Sequence, residues 1–564
     1  MATPWANLNG KPTYTVSPVN GTFPNNGADY GPSTAGTVTV GINEAILAVA
    51  AAGGGTVYLL PGTFVIAGPI LVNGANHVNI LLDPGAIIQI SAAPGWSVTV
   101  GANPRYPHIL VVNSSNLRIS GGQFVAGIGS QNSELGGILV AGNVNHAEFD
   151  HLNMSGMTGF GIHACAAYSA VTGYPSGTPA TSSAPYAYIF EHDNNFDSMG
   201  AHTSGGDGGG VRWGNDQSSG GGNVHHIWTG FRDTITNVQM FGIDIANGGM
   251  VSTMSDIVVG DAYISVPPYD GTVGTIGMNF ETANSSTVKE MVVRFEVIAP
   301  HVTGGYKAFI IGGNWYDGTI HGGRYEFAYL NGLELGAGGV TTARITVVSP
   351  ICRNNNQGKA TTGQTRFGLG IGIVSGSVPS GQTGTLSDIE VLGGDYSDDQ
   401  GASATQDYGI GIYCSKPTGA TAVLKNVFVK GGKCSGNKTG SVSFPSTPTL
   451  IGTISNVLVM GASGYNPVGK LGSGGKPLDN TNFFIGPTGT ANTPSASAQK
   501  YTVLGPPQYV DWSGGAGVTM TVYDPSGTNT VATVTASASG VLVWPGYLVA
   551  FAYTTAPTVT SYGA

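Results

Sequence analysis

Charge is what this sequence has least of. Only 9% of its 564 residues are Asp, Glu, Lys or Arg, where an ordinary domain has about a quarter. That excludes polyelectrolyte tails. The 21 basic residues are outnumbered by 31 acidic ones, giving a net charge of −10. A nucleic-acid partner held by phosphate neutralisation is therefore not expected, nor is binding to an anionic membrane. The four cysteines, Cys165, Cys352, Cys414 and Cys434, lie far apart with no Cys-x-x-Cys pair. They read as small buried or surface thiols, and no metal or cofactor is expected. Long apolar runs are missing too. Ala45–Ala52 is too short to span a bilayer, and Val541–Tyr553 is short and broken by Pro545 and Gly546, so no membrane insertion is expected. The opening MATPWANLNGKPTYTV has no basic stretch leading into an apolar one, so no signal peptide is expected.

Glycine is abundant, with 91 copies beside 31 prolines. It keeps no three-residue period, which excludes collagen. Hydrophobic residues at 41% and aromatics at 9% argue against disorder. What remains is a turn-rich, β-rich chain of ample size for a long core.

A two-part phrase recurs along it. Its first half is Gly followed by alternating apolar residues. Its second half is a polar pair followed by another alternating run. Gly242–Ile245 leads to Met254–Val259, Gly277–Phe280 to Val288–Val293, Gly332–Leu335 to Ala343–Val348, Gly370–Ile373 to Leu386–Val391, and Gly409–Ile412 to Leu424–Val429. Eleven copies begin near residues 108, 137, 161, 210, 242, 277, 308, 332, 370, 409 and 441, and the shortest spacing is 24 residues. Period-2 alternation in short runs means strands with one face inward. Two or three such strands per unit, with Gly, Asn and Ser at the corners, fit an all-β, right-handed, single-stranded parallel β-helix. Coils stacked about 4.8 Å apart would make a rod about 50 Å long. Thr37–Ala52 carries a rough apolar stripe and is closed by Gly53–Gly55; it reads as a capping helix over the open end of the coils.

Aligning the Gly-initiated strands on their third residue gives Leu139, His163, Arg212, Asp244, Asn279, Ile310, Glu334, Gly372 and Gly411. With Ile243 and Ile245 inward, Asp244 points out. Asn279 does so between Met278 and Phe280, and Glu281 is outward again. Asp244 and Glu281 then sit one coil and two residues apart, about 8 Å. A carboxylate pair at roughly 6.5–9.5 Å suits an inverting glycosidase, with one protonated acid and one base activating water. Asp244 and Glu281 are thus the candidate catalytic residues, with Arg212 keeping Asp244 ionised. His163, Arg212, Asn279 and Glu334 are candidate substrate contacts. Trp213, Trp315 and Tyr316, with Trp228, offer rings for sugar stacking. The same ladder also reads as an ordinary solvated or interchain face, because the outside of any solenoid is polar. Glu191, His192 and Asp193, with the Gly-rich stretch Thr203–Asn223, read as a cleft wall, a metal loop or a plain insertion. Asp395, Asp398 and Asp399 lack calcium-loop spacing and read as a turn. The adjacent His225 and His226 should point to opposite faces of a strand.

The stretch Asn26–Gly31, the helix, and GGGTVYLLPGTFVI (Gly53–Ile66) resemble the entry motif of the pectate-lyase-like parallel β-helix superfamily, bacteriophage tailspike type. The usual Gly-Asp-Gly and Thr-Asp-Asp elements are replaced here by Gly31–Thr37. The resemblance implies a division into an N-terminal arm (1–36), capping helix and first coils (37–107), β-helix (108–465), linker (466–497) and C-terminal β-sandwich-like trimerisation domain (498–564). The apolar run Val541–Tyr553 suits a subunit interface or a strand of that domain's own core. The resemblance further implies a homotrimeric tailspike or tail fibre of the virion, made in the host cytoplasm, its arm joined to other tail proteins. Such a protein binds a host surface polysaccharide and, if active, is a glycoside hydrolase that depolymerises it. The alternatives are a non-enzymatic adhesin or structural appendage, and a polysaccharide lyase. Neither the base-and-cation set of a lyase nor the Asp cluster of a polygalacturonase is intact. Few basic residues favour a neutral glycan over a strongly anionic one.

Overall fold

The computed structural model describes residues 10–460 except 91–95, 101–102, 127–133, 166–169, 173–184, 201–207, 215–222, 248–252, 270–273, 283–290, 337–340, 358–366, 374–377, 379, 415–418 and 444–452. Beyond these it describes 484–485, 491–492, 497, 500–503, 508–513, 516–524, 526–535, 541–543, 547–555 and 557–563. Among the described residues no helix is long and apolar enough to cross a membrane.

The chain winds as a parallel β-helix in one 33-stranded sheet system. Most coils contribute three strands. The first sheet carries the Gly-initiated strands, among them Phe160–Cys165, Gly209–Gly214, Phe241–Asn247, Ile276–Thr282, Lys307–Gly312, Leu333–Gly336, Phe367–Ile373 and Tyr408–Cys414. Each pairs in parallel with its successor. The second sheet carries the second halves, such as Ala187–His192, Val224–Phe231, Thr253–Val259, Met291–Ile298, Trp315–His321 and Thr341–Val348. The third is made of very short strands, Asn153–Ser155, Asn195–Asp197, Thr234–Thr236, Tyr263–Val266, His301–Gly304 and Arg324–Glu326. Inward residues of all three fill one continuous core.

The repeated glycine has a steric cause. It sits where the third sheet turns into the first, and a β-carbon there would strike the inward side chain of the third sheet. At Gly242 it would lie 2.5 Å from Ile264, at Gly210 2.9 Å from Ile235, and at Gly277 closer still to Val302. Gly277→Val is therefore expected to destabilise the rod by about 1–3 kcal/mol, read as a lower urea midpoint. Gly312, on the outer face, has nothing within 4 Å of its β-carbon position. Gly312→Ala is expected to be neutral or to stabilise by about 0.4–1 kcal/mol.

The polar pair has a backbone cause. One residue per coil of the second sheet turns left-handed, in the column Asn116, His146, Tyr188, His226, Asp256, Arg294, Asp317, Arg344, Asp388 and Asn426, all with φ between 52° and 59°. Asn, Asp and His tolerate that region best. The column's side chains stack or pair on the outside. Tyr188 lies 4.5 Å from His146 and 4.6 Å from His226, ring over ring. Arg294 grips Asp256 at 2.7 and 2.8 Å, and Arg344 grips Asp317 at 2.5 and 2.9 Å.

Three expectations are corrected. Val292, not Val288, pairs with Met254, so that copy is slipped by four residues. Glu334 pairs with Gly370, and Gly372 belongs opposite Gly336. The helix covers Ile42–Ala51 only, because Val40 (φ 58°) and Gly41 (φ 85°) cannot be helical. Its stripe of Ile42, Ala45, Ile46 and Val49 is buried. Asn43 caps the open edge of the coils by accepting from the Leu71 N–H at 2.9 Å and donating to the Pro69 carbonyl at 3.0 Å. Thr13–Val16, inside the expected arm, pairs with Gly55–Leu59.

C-terminal strands form a sheet of five and a sheet of four, antiparallel except where Phe484–Ile485 meets Lys500–Val503. Val510, Met520, Val522, Val543, Val549 and Phe551 make their core. The apolar run Val541–Tyr553 thus supplies two strands, Val541–Val543 and Leu548–Ala552, to the core of these sheets.

Candidate functional site

The outer face of the first sheet brings the expected ladder into register. His163 pairs with Arg212, Arg212 with Asp244, Asp244 with Asn279, Asn279 with Ile310 and Ile310 with Glu334. Arg212 Nη1 lies 3.4 Å from Asp244 Oδ2, and Asn279 Nδ2 donates to Asp244 Oδ1 at 2.9 Å. The Arg212 guanidinium also rests 5.7 Å from the centre of the Phe160 ring, beside His163. A shallow pocket lined by Arg105, Tyr106, Leu139, Phe160 and His163 lies at the N-terminal end of this face.

The ladder is not the open, solvated row that alternation alone suggests. Asp244 is 1% exposed, Asn279 3% and Glu334 4%. Glu334 faces protein rather than solvent: Lys307 Nζ reaches one carboxylate oxygen at 2.9 Å and Asn331 Nδ2 the other at 2.8 Å. Glu281 differs from them. It pairs with Ala246 on one side and Gly312 on the other, and Gly336 and Gly372 continue that row of small residues. It is open to solvent. Crowding by the surrounding protein nevertheless pushes its pKa up. Lys307 and a hydrogen bond from Asn279 oppose that push, and the Glu334 charge adds to it.

The expected stacking rings lie elsewhere. Trp213 and Trp315 are fully buried core residues. Trp213 stands opposite Ile245, on the inward side of its strand. Trp315 packs face to face with Phe280 at 4.9 Å. Tyr316 belongs to the second sheet and lies under the Arg344 guanidinium. None of the three faces the first-sheet ladder.

Sequence reasoning missed a network built around Glu191. Glu191 is fully buried, at the end of Ala187–His192. It accepts hydrogen bonds from Asn194 Nδ2 (2.5 Å), Thr229 Oγ1 (2.6 Å) and the Gly230 N–H (2.8 Å). Trp213 Nε1 donates to Thr229 Oγ1 at 2.7 Å. Asp233 Oδ1 accepts from the Asn194 N–H at 2.8 Å. Burial first, then the Glu191 charge, holds the Asp233 pKa well above the usual carboxylate range. The protonated form of Asp233 is thus favoured beside the Glu191 carboxylate. The signal in the sequence was an acid at a position whose partner in register on the preceding coil, Phe149, is apolar.

On the outside of the second sheet Glu148, Asp150 and His192 converge. The two carboxylates share Arg118, which holds Asp150 at 2.6 and 2.8 Å and lies 3.6 Å from Glu148. Burial alone lowers the His192 pKa, but bonds to Glu148 (3.2 Å) and Asp193 (2.6 Å) outweigh it and raise it. Asp193 is in turn pushed down to about 2, chiefly by Arg232. This is an ion-pair node tying consecutive coils together. His225 and His226, expected on opposite faces, touch at 5.0 Å because the left-handed turn at His226 breaks the alternation. Asp395 pairs with Arg353, and Asp398 caps a turn by accepting from the Gln400, Thr405 and Gln406 N–H groups. Most of Thr203–Asn223 lies outside the described residues.

No family model matches the chain, and no curated protein matches it. Among solved structures, it is similar to the A-module of the mannuronan C-5 epimerase AlgE4 of Azotobacter vinelandii at 13% identity, over 74% of this chain and 95% of that one, with a TM-score of 0.42. It is also similar to the tailspike protein of Escherichia coli bacteriophage HK620, at 10% identity over 92% and 88% of the two chains, TM-score 0.38. A third is PfbA, a surface adhesin of Streptococcus pneumoniae, at 12% identity over 73% and 89%, TM-score 0.33. All three are parallel β-helix proteins.

Proposed function

We propose that this chain is a polysaccharide-binding β-helix protein of the phage tailspike type, and that the outer face of its first sheet binds and hydrolyses the glycan. Glu281 carries this reading. It is a solvent-open carboxylic acid whose pKa is raised by the protein around it. It stands beside a floor of Ala246, Gly312 and Gly336, one coil and two residues from the Arg212-balanced Asp244. A raised carboxyl holds its proton where a general acid needs it. In the step, the Glu281 proton goes to the glycosidic oxygen as the bond to the anomeric carbon breaks. Water forms the new bond from the opposite face and gives its proton to Asp244.

The test is to incubate the protein with candidate host surface glycans and measure new reducing ends, with the ultraviolet absorbance of unsaturated sugars as the mark of a lyase. Asp244→Asn is expected to lower hydrolysis by about 10²–10⁴-fold while the glycan still binds. Binding with no new reducing ends would instead favour an adhesin. The same reading makes the chain a homotrimer held by its C-terminal sheets, with its N-terminal arm on other tail proteins of a virion. A solution mass of one chain, 57.3 kDa, overturns the trimer.

A further inference from the structure

We propose that the pocket lined by Arg105, Tyr106, Leu139, Phe160 and His163 is a subsite for an acetyl substituent of the glycan, N-linked or O-linked. The inference rests on the outer face of the first sheet being the glycan-binding face. The pocket is built from three successive coils, with Arg105 and Tyr106 on Asn103–Val125, Leu139 on Glu134–Asp150, and Phe160 and His163 on Phe160–Cys165. Leu139 pairs with His163, His163 with Arg212 and Arg212 with Asp244. The pocket thus belongs to the ladder itself, and three coil spacings, about 14 Å, separate Leu139 from Asp244. Phe160 joins the two. Its ring lines the pocket, meets His163 edge-on at 5.5 Å and lies 5.7 Å from the Arg212 guanidinium, which reaches Asp244 at 3.4 Å. A glycan lying along the rod meets the pocket and the proposed catalytic pair together.

Size selects a substituent over a ring. Even with its mouth counted, the pocket has a volume of about 240 Å³, below the roughly 300–1,000 Å³ of a site that encloses a whole ligand. The sugar ring stays outside and one arm enters. The walls select the arm. Pro107, Leu139 and Phe160 are apolar and buried. Arg105 and His163, 6% and 5% exposed, bring polar groups to the same walls. Burying these two beside hydrocarbon is costly, and other contacts within the protein fix where they stand. A plain methyl arm suits the apolar part but leaves both polar groups facing hydrocarbon. A hydroxyl or an amine makes the reverse mismatch. A carboxylate meets strands whose formal charges balance, since Arg105 stands in backbone register with Glu134 and Arg212 with Asp244, in a chain of net charge −10. An acetyl group satisfies both parts at once. Its methyl lies on Leu139 and Phe160, and its carbonyl oxygen accepts from Arg105 or His163.

The experiment titrates the protein with N-acetylglucosamine, 6-O-acetylglucose, glucosamine, glucose and glucuronate, reading affinity and saturation transfer by NMR. Burying one methyl and making one hydrogen bond together raise affinity about 10-fold. At least one acetylated sugar is therefore expected to bind tighter than the other three by about that factor, with saturation strongest at its acetyl methyl, and whichever binds names the linkage. Leu139→Phe fills the pocket, and His163→Leu removes a donor at similar size. Each is expected to lower the preference by about 3-fold or more. The comparison among sugars on the wild type needs no variant, so it stands if either variant folds poorly. Equal affinity for acetylated and plain sugars, or tighter binding of glucuronate, overturns the proposal. A preference kept in full by both folded variants overturns its place in this pocket. A host glycan that is cut as before, with unchanged affinity, once its acetyl groups are removed overturns the subsite and keeps the hydrolytic reading. Acetyl-methyl saturation that vanishes in Leu139→Phe, in a protein that releases no reducing ends, supports the subsite and overturns the hydrolytic reading instead.

Discussion

Glu191→Ala is expected to destabilise the β-helix by about 3–5 kcal/mol, more than any surface substitution. The carboxylate is the shared acceptor of three buried donors, Asn194 Nδ2, Thr229 Oγ1 and the Gly230 N–H. Each donor left unmade costs about 1–3 kcal/mol, less whatever a trapped water recovers. Through Thr229 the loss reaches Trp213, and through Asn194 it reaches the Leu152 N–H, which donates to Asn194 Oδ1 at 2.9 Å. Asp233 adds a pH dependence. Its folded pKa is raised, so the folded chain binds a proton that the unfolded chain releases in the ordinary carboxylate range. The stability this contributes is complete below that range and falls as pH rises toward the folded pKa. Asp233→Asn keeps the shape and a donor toward Glu191 but cannot ionise. It should match the wild type near pH 4 and exceed it near pH 9, by urea midpoints. Equal slopes for the two proteins between those limits would mean that no proton is held in this corner.

How much of this was written in the sequence depends on which contact enforced it. The Gly-initiated phrase was readable because collisions such as those with Ile264, Ile235 and Val302 recur at Gly242, Gly210 and Gly277 and leave little room for a larger residue. The polar pair was readable because the left-handed column favours short polar side chains. The third sheet left almost no trace: strands such as Asn153–Ser155 and Thr234–Thr236 bury one side chain each, Met154 and Ile235, and a period needs more than one. Register on the outer face was legible, as the Arg212, Asp244 and Asn279 pairings are those the alignment gives. Exposure was not, because alternation says which way a side chain points and nothing about what lies over it. Trp213 was misassigned against the alternation itself, since the step that puts Arg212 outside puts Trp213 inside. Glu191 defeated the reading for a different reason. This buried acid is stable only with donors from its own coil, Asn194, and from the next, Thr229 and Gly230, and no local pattern announces them.

Glu281→Gln is expected to lower glycan hydrolysis by about 10²–10⁴-fold with the affinity for the glycan unchanged. Glutamine fills the same space beside Ala246 and Gly312 and still reaches Asn279, so the floor of the site is kept. What it lacks is the proton. Crowding by the surrounding protein raises the Glu281 pKa against the pull of Lys307, so activity should fall as pH rises through that raised value. A loss confined to KM would mean that Glu281 only holds substrate. Full activity in Glu281→Gln would remove the acid from the mechanism altogether, whereas equal binding by both proteins with no cleavage by either would leave a rod that recognises polysaccharide without cutting it. The measurement is kcat and KM from reducing-end release, paired with glycan affinity determined on the same preparations. The loss should lie in kcat, because protonation of the leaving oxygen belongs to the transition state and not to the bound glycan.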